Sequence, residues 1–500
     1  MDKQSSSSPT TFHILIYGCQ MNYADSARIK AILTHAGMQY VSDITQANIV
    51  IFDTCSVRQK SEDKVTGKMM EIAPRQKVWM TWCMIQHYLK NDTIKRSKSH
   101  THAKLKYGNF LWWVKTTMPQ IVWWSNAFEE DLKNIDDISN TIYVNHAYSP
   151  LWSTLSQQFD TIELFFRIDD TGFLPLLAGK LGYHVTNTDI ECTNEYANIL
   201  PHDSNQLLSS SSKTAYVPIS TGCSQFCSYC IVPYARWLEN NRPVDEILKE
   251  VSYHLENGIE EIVLLGQIVN KHPDFVSLCE KILTMDKLKW LRYTSPYPTF
   301  FPPELLQLHK NHPKMSPHIH MPLQSWSDHI LRKMFRWYTV DQYKQFVDAI
   351  RDTNRPISIT TDIIVWHPDE TDEDFEQSLD MIRYAQFDMI YIGIYSPRPG
   401  TIGAKRYIDN VPTKIKKQRW NRMNDLLISV SSSNNQQEIW KIRDVMITRR
   451  LKNGELFGYT DNMKNILVRS HLQDDEIIWS LVSVKIVDSK AFTLFGELIV

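Results

Sequence analysis

Glycine is scarce in this chain: it supplies 16 of 500 residues, where ordinary usage of about 7% would supply about 35. Also missing is any run of eighteen apolar residues, so no helical membrane span is expected. The opening, MDKQSSSSPT, has no apolar stretch of the kind a secretory leader carries, so a cytoplasmic protein is expected. Net charge is nearly absent, with 54 Lys and Arg against 56 Asp and Glu. That excludes a chain-wide basic field, and any nucleic-acid contact must come from local patches. Apolar content of 43% and charged content of 22% are those of ordinary globular chains. The length predicts about two to four domains. Tryptophan, by contrast with glycine, is heavy at 15.

The Ser-rich residues 1–10 read as a disordered tail. From Phe12, apolar runs alternate with helical stretches, the pattern of a parallel α/β sheet. FHILIYG, NIVIFDT and KVWMTW are the clearest buried strands. Residues 90–200 hold a basic stretch and then apolar segments without clean periodicity, and they read as an atypical part of an N-terminal domain over 11–202, a candidate insertion. KSHTHAK at 98–104 has the look of a metal tract but reads as a solvated loop. DSNQLLSSSS at 203–212 is a linker by composition. A second α/β series over 213–430 has strands near AYVPIS, EIVLLG, LRYTSP, HIHMP, ISITTDIIV and MIYIGIYS. SVSSSNNQQ at 429–437 reads as a second polar linker, ahead of short alternating runs over 431–500 that predict a small β-barrel.

Eight cysteines in such a chain point to metal ligands or reactive thiols, not disulfides. Cys19, Cys55 and Cys83 each follow an early strand, and open parallel sheets collect ligands outside the carboxyl ends of their strands. The plainer alternative is three buried cysteines used as small apolar residues. It explains one cysteine better than three at equivalent strand ends. A second set, Cys223, Cys227 and Cys230 in TGCSQFCSYC, has the spacing C-x3-C-x2-C. Zinc and four-iron sites take four ligands. Three thiolates on a four-iron cluster leave one iron for a non-protein ligand, whereas a zinc loop would need a distant fourth residue and usually repeats C-x2-C. Cys192 and Cys279 lie in no motif and read as packing residues.

Taken together, these stretches resemble the methylthiotransferase family of radical S-adenosylmethionine (SAM) enzymes. The resemblance rests on YGCQMNYADS, DTCSVRQKSEDKV, CMIQ, AYVPISTGCSQFCSYCIVPYAR, LLGQIVN, TSPYP, MPLQSWSD, TDIIVWHPDETDEDF and IYSPRPGT, and covers about 11–86 and 213–470. It implies an α/β protein with an N-terminal doubly wound parallel sheet, a central radical SAM partial (β/α) barrel and a small C-terminal β-barrel of the TRAM type. It also implies two [4Fe-4S] clusters. One, on Cys223, Cys227 and Cys230, takes the amino and carboxylate groups of SAM at its open iron and reduces SAM to a deoxyadenosyl radical. The other, auxiliary, on Cys19, Cys55 and Cys83, presents sulfur, while a second SAM supplies the methyl group.

The implied product is a methylthio group on carbon 2 of isopentenyl-adenosine beside the tRNA anticodon. Alternatives are a threonylcarbamoyl-adenosine tRNA or a ribosomal protein as substrate, or a catalytically inactive RNA-binding homologue. The implied partners are tRNA, an electron donor such as flavodoxin or ferredoxin, and a sulfur source, with no membrane and a monomeric chain. Tyr229 is expected beside the SAM adenine, and Gly266 and Gln267 at a strand end facing the cluster. Arg398 suits a carboxylate or phosphate, or a locked turn. Asp362 and Glu370 read as helix-start or network residues, not catalytic bases. RNA contact is expected from 414–422 and from 441–470, where basic residues flank Phe457 and Tyr459.

Trp82, Trp237, Trp326, Trp337 and Trp366 stand where the family has glycine. Glycine at such places usually marks φ > 0 or a close backbone approach. One cause covers all five and the glycine deficit: a gene that uses UGA for glycine, translated with UGA as tryptophan. The rival is a degenerate homologue.

Overall fold

The computed structural model describes residues 8–54, 59–82, 122–124, 162–166, 171–172, 174–187, 213–236, 239–398, 400–409, 411–469 and 475–499. Cys55, Cys83, Cys192, Trp237, the 98–104 tract and the 203–212 stretch lie outside them. The chain forms two compact units, residues 1–207 with 231–237, and residues 208–230 with 238–500.

The first unit is built on six strands: β1 (Thr11–Tyr17), β2 (Gln39–Tyr40), β3 (Ile49–Thr54), β4 (Lys77–Trp82), β5 (Val122–Trp124) and β6 (Ile162–Phe166). They form one parallel sheet in the order β2-β1-β3-β4-β6-β5. Every residue of β3 is buried, as expected of a strand covered on both faces. Helices Gln20–His35 and Gln59–Ile72 connect the first strands, and Ile29, Ile32, Leu33, Val65 and Met69 share one core with Val50, Phe52 and Trp79. Gln20–His35 ends in a Schellman turn, with Met38 N donating to Leu33 O and Gly37 N to Thr34 O, both at 3.0 Å. Gly37 is needed there: its φ is +88°, and a Cβ would stand 2.1 Å from Thr186 Oγ1. Two expectations change. Thr10 is no tail residue, being 7% exposed and accepting from Gln39 N at 2.9 Å. The 90–200 span supplies two strands of the sheet, whose three and five residues are too short to show a period.

The second unit begins with six parallel strands in chain order: β7 (Thr214–Pro218), then, after the small ladder β8 (Ser220–Thr221) and β9 (Asn240–Asn241), β10 (Glu261–Leu265), β11 (Trp290–Tyr293), β12 (His318–His320), β13 (Ser358–Val365) and β14 (Met389–Ile394). They pair as β7-β10-β11 and β12-β13-β14, and the parallel bridge between Leu291 and Met315 joins the halves. Helices Val244–Glu256, Phe275–Leu283, Pro303–Asn311, Val340–Arg351 and Asp372–Ala385 alternate with the strands, which makes a partial (β/α) barrel. Ile247, Val251 and Leu255, four residues apart, form the buried stripe of the first helix.

The chain closes with β15 (Ile442–Arg450), β16 (Leu456–Thr460), β17 (Asn465–Arg469), β18 (Leu481–Lys490) and β19 (Thr493–Leu498), a closed barrel filled by Val445, Ile447, Leu456, Ile466, Val468, Val484, Ile486 and Leu494. The stretch read as a linker at 429–437 is helical to Gln436, the end of one helix, Thr413–Gln436. Small polar residues are weak helix formers, but these have tertiary partners. Ser431 Oγ donates to Asp388 O at 2.9 Å, Asn434 Nδ2 to Gln386 O at 2.8 Å, and Asn435 Nδ2 to Lys490 O at 2.8 Å. Among the described residues no helix is long and apolar enough to cross a membrane.

Candidate active site

The three-cysteine loop leaves β7, and the β8–β9 ladder gathers its base through the pairs Ser220–Asn241 and Thr221–Asn240. Left-handed residues at Gly222 (φ 75°) and Phe226 (φ 51°) turn it back on itself. Ser228 N donates to Met334 O at 2.9 Å, and Gly403 N donates to Ser228 O at 2.6 Å. The loop is thereby tied to the segments that follow β12 and β14, at the carboxyl ends of the strands, where barrel sites are built. Cys223 and Cys227 are buried and Cys230 is half-buried. Burial pushes the Cys223 thiol up to about 11.

Among the described residues no three His, Cys, Asp or Glu side chains could share one metal ion. A single zinc ion would need four such side chains about one point. A four-iron cube asks for something different, one thiolate at each of three separate irons, and the loop's donor set suits it.

The other predicted residues of this unit lie on or after its barrel strands. Gly266 follows β10 where a Cβ would stand 2.6 Å from Ser220 Oγ and 3.1 Å from Val269 Cα, so close approach of two loops excludes any larger residue. Next to it, Gln267 Oε1 is buried without a hydrogen-bond partner among the described residues. An orphaned buried acceptor calls for a donor from a bound molecule, and the amino and hydroxyl groups of SAM are such donors. Tyr229 is half-buried, and desolvation holds its hydroxyl well above the usual phenol value, against the opposing pull of Arg336. After β13, Trp366 has φ 67° and no exposure. Its N–H donates to Glu370 Oε2 at 3.0 Å, and Arg419 reaches the same oxygen at 3.1 Å. Burial pushes the Glu370 carboxyl up to about 7, yet both its partners are structural, in keeping with a network role. Asp362 pairs with His320 at 3.2 Å. Arg398 is buried, and its carbonyl accepts from Thr401 N at 3.1 Å and Oγ1 at 2.7 Å, the turn-locking alternative. Trp326 is 3% exposed and meets Tyr343 edge-on, while Trp337 is 66% exposed. Neither has a positive φ, so strain at the expected glycine sites is carried by Trp366 alone among those described.

In the first unit, Tyr17 pairs with Thr54 across β1 and β3, and Thr54 with Trp82 across β3 and β4. Cys19, Cys55 and Cys83 thus follow the ends of three adjacent strands in sequence. Cys19 is exposed and caps helix Gln20–His35, its N–H donating to Asn22 Oδ1 at 3.0 Å. Beneath it, Asn22 Nδ2 donates to Asp53 Oδ1 at 2.7 Å and Ser26 Oγ to Asp53 Oδ2 at 2.6 Å. Asp25 pairs with Arg236 at 3.1 Å. Burial first, and Asp25 second, hold Asp53 well above the usual carboxylate range. The motif NYADS contains Asn22, Asp25 and Ser26, but nothing in it signals that Asp53 completes the network.

Three family profiles match the chain in order: the uncharacterised protein family UPF0004 over 11–103, the radical SAM superfamily over 217–382 and the TRAM domain over 436–499. The tRNA-2-methylthio-N(6)-dimethylallyladenosine synthase of Caldicellulosiruptor saccharolyticus is 31% identical over 497 residues, 98% of this chain and 92% of its own. The chain belongs to that synthase family. A relative of the same name from Dictyoglomus thermophilum is 29% identical over 98% of both chains, so residues 90–200 lie inside the matched length. A solved radical SAM methyltransferase, TsrM of Kitasatospora setae, aligns at TM-score 0.44 and 11% identity over 78% of this chain and 75% of that one, too distant to add to the argument.

The TRAM barrel of this synthase-family chain corrects one expectation. Tyr459 is no stacking platform: its hydroxyl donates to Glu261 Oε2 at 2.6 Å, and Arg292, itself 2.7 Å from Glu261 Oε1, lies over its ring at 5.3 Å. Tyr459 docks the barrel onto β10 and β11. Phe457 stays half-buried with the exposed Arg449 stacked over it at 4.5 Å. In the 414–422 run, Lys416 pairs with Asp409 at 2.6 Å, Arg419 with Asp372 at 2.5 Å and Arg422 with Glu376 at 2.7 Å. Those three cations are already answered by carboxylates, so the charge pattern of this run overstated its reach toward RNA.

Proposed function

We propose that the chain adds a methylthio group to carbon 2 of N6-dimethylallyl (isopentenyl) adenosine beside the tRNA anticodon. The observation that carries this reading is the union, in one chain of this family, of a C-x3-C-x2-C loop on the carboxyl face of a partial barrel with cysteines after three adjacent strands of a second sheet. When bound, four-iron clusters with SAM supply the one-electron chemistry that an unactivated C–H position requires.

The chain's own residues do the rest. Cys223, Cys227 and Cys230 hold one cluster, and Cys19, Cys55 and Cys83 hold the auxiliary one. Gln267 Oε1 would accept a hydrogen bond from SAM, Gly266 would keep the approach open, and Tyr229 would line the adenine. The Asn22–Asp53–Ser26 network fixes the helix start that Cys19 caps. Arg449 and Phe457 meet the RNA by phosphate contact and stacking. A low-potential donor such as flavodoxin or ferredoxin, a sulfur source and a monomeric cytoplasmic enzyme complete the reading. The relatives reported above carry no name for a threonylcarbamoyl-adenosine or ribosomal-protein substrate.

The test is anaerobic reconstitution, then incubation with SAM, dithionite and tRNA bearing isopentenyl-adenosine, followed by nucleoside mass spectrometry. A methylthio derivative of that nucleoside is expected. SAM cleavage with modification of a threonylcarbamoyl-adenosine tRNA alone would overturn the substrate, and no SAM cleavage by a cluster-loaded chain would favour an inactive RNA-binding protein.

A further inference from the structure

Arg336 is 7% exposed, and no carboxylate pairs with it among the described residues. Its Nη2 donates to Pro322 O at 2.8 Å and its Nε to Tyr338 OH at 3.1 Å. The guanidinium lies over the Tyr297 ring at 4.3 Å and beside that of Tyr338 at 5.2 Å. The remaining direction, from Nη1, runs to Cys227 Sγ at 3.7 Å. A buried cation held by neutral groups is costly unless an anion joins it. We propose that Arg336 is a positioning residue for the iron–sulfur cluster on Cys223, Cys227 and Cys230, with the Cys227 thiolate as its counter-charge, and that it raises the cluster's reduction potential.

This rests on the proposed function and goes beyond it. Reduction brings in one electron from the external donor and no proton, because arginine stays protonated. The site gains one negative charge, which a fixed cation favours, and hydrogen bonds to cluster sulfur act in the same direction. The planar fork of arginine also fixes where Cys227 points, which a lysine cannot do.

The full chain, R336K and R336Q are reconstituted alike, and the midpoint potential of the EPR signal that responds to SAM is titrated, with iron counted in each. R336Q is expected to lower the reduced-to-oxidised ratio at a fixed potential about tenfold, ~59 mV for a one-electron couple. R336K is expected between the two. Equal midpoints at equal iron would overturn the proposal. If R336Q loses its iron, retention by R336K supports the counter-charge, and loss by both overturns it in favour of packing. Failure of the unaltered chain to assemble a SAM-responsive cluster would instead overturn the functional reading.

A different observation carries a second inference. Eleven described non-glycine residues have positive φ, and three are tryptophans: Trp366 (67°), Trp440 (74°) and Trp479 (65°). Tryptophan is 15 of 500 residues, so chance would place fewer than one there, and a bulky side chain in that region is an outlier. Trp366 is also fully buried with Nε1 lacking a hydrogen-bond partner among the described residues. We infer that glycine is the native residue at 366, 440 and 479, written as tryptophan by reading UGA under the standard code. Peptide masses of the protein purified from its own source decide it. Each of the three peptides is expected lighter by the tryptophan-to-glycine difference, with UGA in the gene. Tryptophan in these peptides, or UGG codons, overturns the inference.

Discussion

The described members of the two cysteine sets sit in different settings. Cys227 faces the buried Arg336 guanidinium at 3.7 Å, which has no carboxylate partner among the described residues, while Cys223 feels both the Glu239 carboxylate and the Lys271 ammonium. Below Cys19 lie two buried carboxyls, Asp25 and Asp53, answered by Arg236. The first set is compact, carried by one loop and mostly buried. The second is spread over three strand ends, and its described member is exposed. Under the proposed function, a cluster that accepts an electron would gain from a cation at its sulfur, whereas one that passes on sulfur would need access more than a raised potential.

The sharpest way to break this comparison is to delete one ligand from each set. Iron and sulfide near eight each per chain are expected from two cubes. Cys227→Ala should halve the iron and abolish deoxyadenosine release. Cys19→Ala, with Cys55 and Cys83 also changed, should halve the iron but leave SAM cleavage intact while the methylthio nucleoside disappears. Zinc in place of iron, or loss of both activities in both variants, would contradict the division of labour.

A smaller effect is expected from Asn22→Ala. It strips Asp53 of a buried donor and unfixes the Cys19 turn, at a cost of about 1–3 kcal/mol, seen as a lower Tm. Iron should leave the auxiliary site while SAM cleavage persists. An unchanged iron count would show that the Asp53 network serves folding alone. Tyr459→Phe should cost about 1 kcal/mol and leave both clusters filled, since its hydroxyl serves Glu261. Weaker tRNA binding at unchanged Tm would restore the stacking role. Arg449→Ala, by contrast, should weaken tRNA binding and flatten its salt dependence, without changing iron or Tm.

The smallest effect separates the units by pH. In the second unit, burial holds His309 down to about 3 and His367 down to about 4. Their unfolded forms, near 6.5, bind more protons than the folded ones, so stability is present above that value and is lost as pH falls below it. Asp53 in the first unit is shifted the other way: its contribution is present at low pH and lost as pH rises through its folded value. Amide exchange from pH 7 to 5 should therefore quicken at Leu291 relative to Ile51. The reverse order would refute the assignment, and His309→Gln should reduce the difference.

The two α/β series, the terminal barrel and the place of the three-cysteine loop after β7 were legible in the sequence, because spacing and strand alternation are local signals. What stayed hidden depends on partners distant in sequence. Arg336 was not singled out, because its burial without a carboxylate partner among the described residues leaves no mark in the sequence. Ser431, Asn434 and Asn435 read as linker because their acceptors lie on other elements. Tyr459 read as exposed because Glu261 is 198 residues away. Trp440 and Trp479 lie in no motif that carries the resemblance, and only their backbone angles single them out. Strands β5 and β6 were missed because strands of that length have no measurable period.

Helix Thr413–Gln436 has a mechanical consequence. Its first half grips the loop after β13, with Arg419 on Glu370 and Asp372; its last turns grip the β18–β19 hairpin, with Ser431 and Asn435 on Ala491 and Lys490. With no hinge between the two grips, the helix is a strut. A load applied to the terminal barrel by a docking RNA passes along it to the turn that holds Glu370 and the backbone of Trp366. The terminal barrel is then no loosely tethered module, since one continuous helix braces it against the turn after β13.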